Sequence, residues 1–121
     1  MPDAVAPDGS EIYFRALDAE RASLVEVVLG PGRTSRPVRH RSVEEIWYFL
    51  SGAGEVWLRS ADGAEEATRS VAPGDTLVIP TGWAFQFRAR DGGEALRFLC
   101  FTSPPWPGGD EAVAVEAGGL G

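Results

Sequence analysis

Runs of β-branched and aromatic residues, each broken by a tight cluster of turn formers, dominate the pattern of the chain. Ser23 to Leu29 (SLVEVVL) is the clearest, and Gly30-Pro31-Gly32 closes it. Strands are predicted on the same grounds for Glu11–Leu17, Thr34–Val38, Glu45–Leu50, Glu55–Arg59, Glu65–Val71, Thr76–Ile79, Trp83–Ala89 and Ala95–Thr102. Turns are predicted at Ser51–Gly54, Ala61-Asp62-Gly63, Pro73-Gly74-Asp75, Pro80-Thr81-Gly82 and Asp91-Gly92-Gly93. Within Glu55–Arg59, Val56 and Leu58 share one face, and Glu55, Trp57 and Arg59 share the other. No segment reads as a long amphipathic helix. Short strands at this spacing predict an all-β sandwich or barrel. Residues 1–10 are polar with Pro and Gly and read as a loose arm, leaving 11–103 for the barrel. Residues 104–121 open with Pro104-Pro105-Trp106-Pro107, which cannot join a ladder, and read as a docked strap or frayed tail.

Composition narrows the function classes. At 121 residues the chain suits one domain with a real core. A formal charge of −7 argues against nucleic acid, whose phosphates need clustered positive charge. All eleven basic residues are Arg; the absence of Lys removes lysine Schiff-base chemistry and the P-loop. The absence of Asn removes N-glycosylation. No window is apolar enough to span a membrane, and MPDAVAPDGSE lacks the features of a secretory signal. Cys100 has no partner for an internal disulfide, so a cytoplasmic location is expected.

Candidate chemistry concentrates between Gly32 and Gly52, which holds the only histidine, His40, and the adjacent acids Glu44 and Glu45. Neighbours on a strand face opposite ways, so Glu44 and Glu45 cannot act together on one substrate. Alternation from Glu45 places Trp47 and Phe49 on its face, with Ile46 and Tyr48 turned away. The same count places Trp83, Phe85 and Phe87 together. Arg97 and Cys100 have opposite parity, so at most one of them faces inward. The cluster Arg33, Arg36, Arg39 and Arg41 reads as a solvated loop with local acid partners, or as an attractor for an anionic ligand.

Two segments resemble the paired motifs of the cupin superfamily. Gly32, five residues, Val38-Arg39-His40, four residues, Glu45, six residues and Gly52 reproduce the frame of the first motif. Gly74, five residues, Pro80-Thr81-Gly82, two residues, Phe85, three residues and Ala89 follow the frame of the second. The resemblance implies a cupin double-stranded β-helix, a jelly-roll barrel of two antiparallel sheets, and a homodimer. Metal-holding cupins use three histidines and a glutamate. Only His40 and Glu45 stand at those positions here, with Val38 and Phe85 at two histidine positions, so no cofactor is expected.

The resemblance points His40 and Glu45 into the barrel as a proton-transfer pair. Around them Trp47, Phe49, Trp83, Phe85, Phe87 and Cys100 are the expected walls for a small apolar or aromatic ligand. The function expected first is metal-independent acid/base chemistry on such a metabolite, as in isomerisation, dehydration or cyclisation, in the manner of cupins of secondary metabolism. One alternative is a metal-dependent cupin, dioxygenase or sugar-phosphate isomerase-like, holding a divalent metal through His40, Glu45 and unconventional ligands. The other is a non-catalytic ligand-binding cupin.

Overall fold

A computed structural model describes residues 1–121. Eleven strands and no helix make up the chain: β1 Ala4–Val5, β2 Glu11–Ala16, β3 Ser23–Leu29, β4 Val38–His40, β5 Glu44–Ser51, β6 Gly54–Arg59, β7 Glu66–Val71, β8 Thr76–Ile79, β9 Ala84–Ala89, β10 Leu96–Ser103 and β11 Ala112–Ala114. They form a six-stranded sheet, β1-β2-β3-β10-β5-β8, and a five-stranded sheet, β11-β4-β9-β6-β7. Every pairing is antiparallel. This is an all-β barrel, as the spacing of turns predicts, in the jelly-roll form that the cupin resemblance implies.

Period-two burial decides which side chains fill the interior. Along β5 buried and exposed residues alternate strictly from Glu44 to Leu50, so Glu45, Trp47 and Phe49 point in while Glu44, Ile46, Tyr48 and Leu50 point out. Strand β10 does the same with Leu96, Phe98, Cys100 and Thr102. Cys100 therefore faces the core, while Arg97 lies outside and donates to Glu26. The register sets Trp47 beside Cys100 on one side and Leu77 on the other. Trp47 stacks on Phe98 with ring centroids 4.2 Å apart, and Phe87 meets Trp47 edge-on at 5.3 Å. The turn between β5 and β6 needs Gly52: its φ is +74°, and a Cβ there would strike the Ala95 carbonyl.

Both ends of the chain are tied down, where the sequence suggests a loose arm and an open choice for the tail. In the arm, β1 pairs with β2, Asp3 N–H donates to the Ile12 carbonyl at 2.9 Å, and Arg36 N–H donates to the Asp8 carbonyl at 2.8 Å. Asp8 and Ser10 are buried as a result. In the tail, β11 adds to the edge of β4. Glu111 accepts bonds from Ser42 N–H and Oγ–H, both at 2.7 Å, and from Val43 N–H at 3.0 Å. Burial opposes ionisation of Glu111, but these bonds outweigh it and set the carboxyl below its ordinary value. Further on, Leu120 N–H donates to Gln86 Oε1 and Gly119 lies against the Trp57 indole. Trp57 is buried for that reason, although it shares a face with Glu55 and Arg59. No helix is long and apolar enough to cross a membrane.

Candidate functional site

Between the two sheets lies a cavity of about 470 Å³. Each layer of the fold contributes a wall. Strand β4 brings His40, β5 brings Glu45 and Trp47, β9 brings Phe85 and Phe87, and β10 brings Phe98, Cys100 and Thr102. The arm closes one side with Asp8, and the segment after β10 adds Trp106.

Burial and hydrogen bonding single out the polar residues. Glu45 Oε1 accepts from Trp47 Nε1–H at 2.9 Å, and Oε2 accepts from Thr102 Oγ1–H at 3.1 Å. A buried carboxylate is thus held by two donors rather than left bare. His40 is 6% exposed and lies between the rings of Phe85 and Trp106, at 5.0 and 5.1 Å, both edge-on. Its Nδ1 stands 3.8 Å from Glu45 Oε2, beyond hydrogen-bonding distance. That nitrogen is the only buried side-chain N or O atom in the chain without a partner.

Asp8 completes the set of ionisable groups, and nothing in the strand pattern marks it. Its Oδ1 accepts from Ser10 N–H at 2.9 Å and from Ser10 Oγ–H at 2.6 Å. Burial raises the Asp8 carboxyl above its ordinary value; the Ser10 bonds pull the other way, and the nearby Glu45 charge adds to the rise. Burial likewise pushes the Cys100 thiol well up, with Glu45 reinforcing the shift, so Cys100 is a thiol and not a thiolate at neutral pH.

The raised Asp8 value carries a stability prediction with a definite sign. The folded state holds this proton more tightly than the unfolded chain, whose carboxyl keeps its ordinary value of 3.8. The associated stability is present below that value and is lost as pH rises through the folded one. Asp8→Asn keeps an oxygen for Ser10 and does not titrate. The melting temperature of the variant, relative to wild type, should therefore climb as pH rises above about 4. A difference that stays flat from there through neutral pH would show that Asp8 titrates alike in both states.

Of the expected walls, Trp47, Phe85, Phe87 and Cys100 line the cavity with His40 and Glu45. Phe49 does not: it is fully buried in the core beyond the cavity, packed on Trp47 and Phe98. Trp83 is not there either. It precedes β9 and is only partly buried, lining a smaller depression with Leu58, Leu77 and Pro80. Parity reports which way a side chain faces but not its depth along the barrel. The arginine cluster stays outside as well. Arg36 donates to the Pro7 carbonyl and Arg41 to the Asp110 carbonyl, so these two pin the arm and tail.

The donor set does not suit a metal. Val38 and Phe85 are direct cross-strand partners, both buried, so two of the positions where metal cupins carry histidine form one apolar pair. Although Asp8, His40, Glu45 and Cys100 line one cavity, no three His, Cys, Asp or Glu side chains in the chain are placed to hold a metal ion. One imidazole, the Glu45 carboxylate engaged at both oxygens, the Asp8 carboxyl tied to Ser10 and a protonated thiol leave a coordination sphere largely unfilled.

Comparison with known proteins agrees with the architecture. Among solved structures, KdgF from Halomonas sp. superposes with a TM-score of 0.66 at 25% identity, covering 84% of this chain and 85% of that one. Oxalate decarboxylase from Bacillus subtilis gives 0.77 at 18% identity over 92% of this chain. Peruvianin-I, a cysteine peptidase from Thevetia peruviana latex, gives 0.76 at 17% identity, covering 95% of this chain and 74% of that one. This chain spans only 29% of the oxalate decarboxylase, and at such identities the likeness concerns the fold alone. No curated protein sequence matches. The cupin-domain family model matches residues 25–102, the stretch that carries both motif frames, from β3 to the end of the inward face of β10. The chain belongs to the cupin family.

Proposed function

We propose that this cupin is a small-molecule enzyme that moves protons without a metal, with His40 as the general acid/base and Glu45 as its partner. The observation that carries the reading is the unpartnered Nδ1 of His40, buried beside a carboxylate at the wall of an aromatic cavity. A buried polar atom without a bond costs about 1–3 kcal/mol, a cost that a ligand hydrogen bond at this nitrogen would remove. Imidazole is also the side chain best matched to gaining and losing a proton near neutral pH. A substrate held by Trp47, Phe85, Phe87 and Trp106 would lose a proton from a carbon next to a carbonyl and regain one elsewhere. The net result is isomerisation. Where a hydroxyl leaves as water the result is dehydration, and where the carbanion closes a ring it is cyclisation.

The decisive experiment incubates the purified protein in D2O with a fractionated extract of apolar metabolites, followed by mass spectrometry. Enzyme-dependent deuterium uptake, or consumption of at least one compound, is the expected result. Compounds that are retained by the protein yet come back unlabelled and unchanged would make it a binding cupin instead.

A further inference from the structure

The charge inventory of the cavity bears on what it admits. No arginine lines it, and the chain has no lysine. Its ionisable side chains are Asp8, His40, Glu45 and Cys100, of which three are acids or neutral thiol. Glu45 already accepts a bond at each oxygen. Asp8 has Oδ1 occupied by the two Ser10 donors, while Oδ2 has no partner in the chain and, unlike His40 Nδ1, remains an accessible atom. An anionic ligand would be desolvated here among carboxyls, with His40 as the sole possible cation. Burying a charge without a paired counter-ion is costly.

We infer that the cavity selects an uncharged, ring-bearing molecule with a ketone or hydroxyl oxygen, and that Asp8 is the residue that holds this oxygen across from His40. The inference rests on the cavity being the ligand site of the proposed function, and it narrows the substrate class. Three observations converge on it. The aromatic walls offer faces and edges to a ring. The volume of about 470 Å³ accommodates a two-ring compound. Asp8 lines the cavity with Oδ2 free of any protein bond, and burial raises its carboxyl, which favours the protonated form that can donate to a carbonyl. In a dehydration the same proton would pass to the departing hydroxyl, while His40 takes one from the adjacent carbon. Water leaves, and Asp8 and His40 exchange protonation states.

A probe series of one ring system and varied charge tests this. Intact protein is titrated with 1-tetralone, 1-naphthol, 1-naphthoate and the 1-naphthylmethylammonium ion, read by tryptophan fluorescence, since Trp47 and Trp106 line the cavity. The neutral probes should bind, and the naphthoate should bind at least about tenfold more weakly. Asp8→Ala should weaken 1-tetralone about fivefold or more, while Asp8→Asn, which keeps a donor, should stay within about twofold. Thermal melts of both variants check that each is folded at the titration temperature. The ligand class is overturned if the naphthoate or the ammonium ion binds as well as the ketone, or if no neutral probe saturates by about 1 mM. The role of Asp8 is overturned if the folded Asp8→Ala protein binds 1-tetralone as wild type does. Charge selectivity without deuterium exchange would leave the ligand class standing and remove the acid/base reading; exchange without selectivity would do the reverse.

Discussion

His40→Gln is expected to lower kcat/KM for whatever substrate the deuterium experiment identifies by about 10²–10⁴-fold, the usual contribution of a positioned acid/base. The same variant should melt within a few degrees of wild type. The two halves of the expectation have one cause. His40 Nδ1 makes no bond in the protein, so removing it breaks nothing that holds the fold. Glutamine fills similar volume between Phe85 and Trp106 and can still offer a hydrogen bond, but it does not titrate. Steady-state kinetics and thermal melts on one preparation measure both halves. Turnover within a few-fold of wild type would remove His40 from the chemistry. A large fall in melting temperature would instead make it a packing residue.

The replacement of two metal-ligand positions by Val38 and Phe85 takes on meaning from the register. Had only one position changed, a water or a neighbouring side chain could complete a coordination sphere. Here the two residues face each other across β4 and β9, and they seal part of the cavity wall with carbon. The first motif keeps its imidazole and its carboxylate, and the carboxylate has found protein donors in Trp47 and Thr102. Glu45 is thereby fixed as the anchor opposite His40, and its orientation depends on residues from β5 and β10 at once.

How much of this could be read beforehand follows from what each signal encodes. Turn residues and period-two alternation are local, so the strands of the barrel and the inward side of β5 were legible; along β10 parity left open whether Arg97 or Cys100 faces in, and Thr102 went unmarked. The motif frames are local too, and they located His40, Glu45, Val38 and Phe85. Depth along the barrel is not local, and Phe49 and Trp83 show the consequence: one faces the right way in the wrong layer, and the other stands before the strand that would set its phase. Asp8 lay beyond reach for another reason. It occupies a short arm with no periodicity, and it meets His40 and Glu45 only because β1 pairs with β2 and Arg36 holds the Asp8 carbonyl. A buried acid presented by a non-repeating segment has no sequence signature; Ser10, two residues on, is the sole local hint of a satisfied carboxyl.

Trp47→Ala should cost about 4–5 kcal/mol, at the upper end for truncation of a buried aromatic. Trp47 is essentially inaccessible, stacks on Phe98, and meets Phe49, Phe85 and Phe87 edge-on or nearly so. Its removal leaves a void among four rings that the two sheets, pinned by their ladders, cannot close. It also takes away the donor to Glu45 Oε1, leaving a buried carboxylate with one protein bond in place of two. A domain of this size has about 5–15 kcal/mol in total, so the variant should be largely unfolded at moderate urea concentrations where wild type is native. Trp47→Phe separates the two contributions. It restores most of the ring volume but not the indole N–H, and should recover more than half of the loss. Trp106, at 38% exposure, is the matched control: Trp106→Ala should cost about 1 kcal/mol or less while still enlarging the cavity. Urea melts of the three variants decide the matter. Equal costs for Trp47→Ala and Trp106→Ala would mean that the aromatic wall is not the structural core that the stacking geometry makes it.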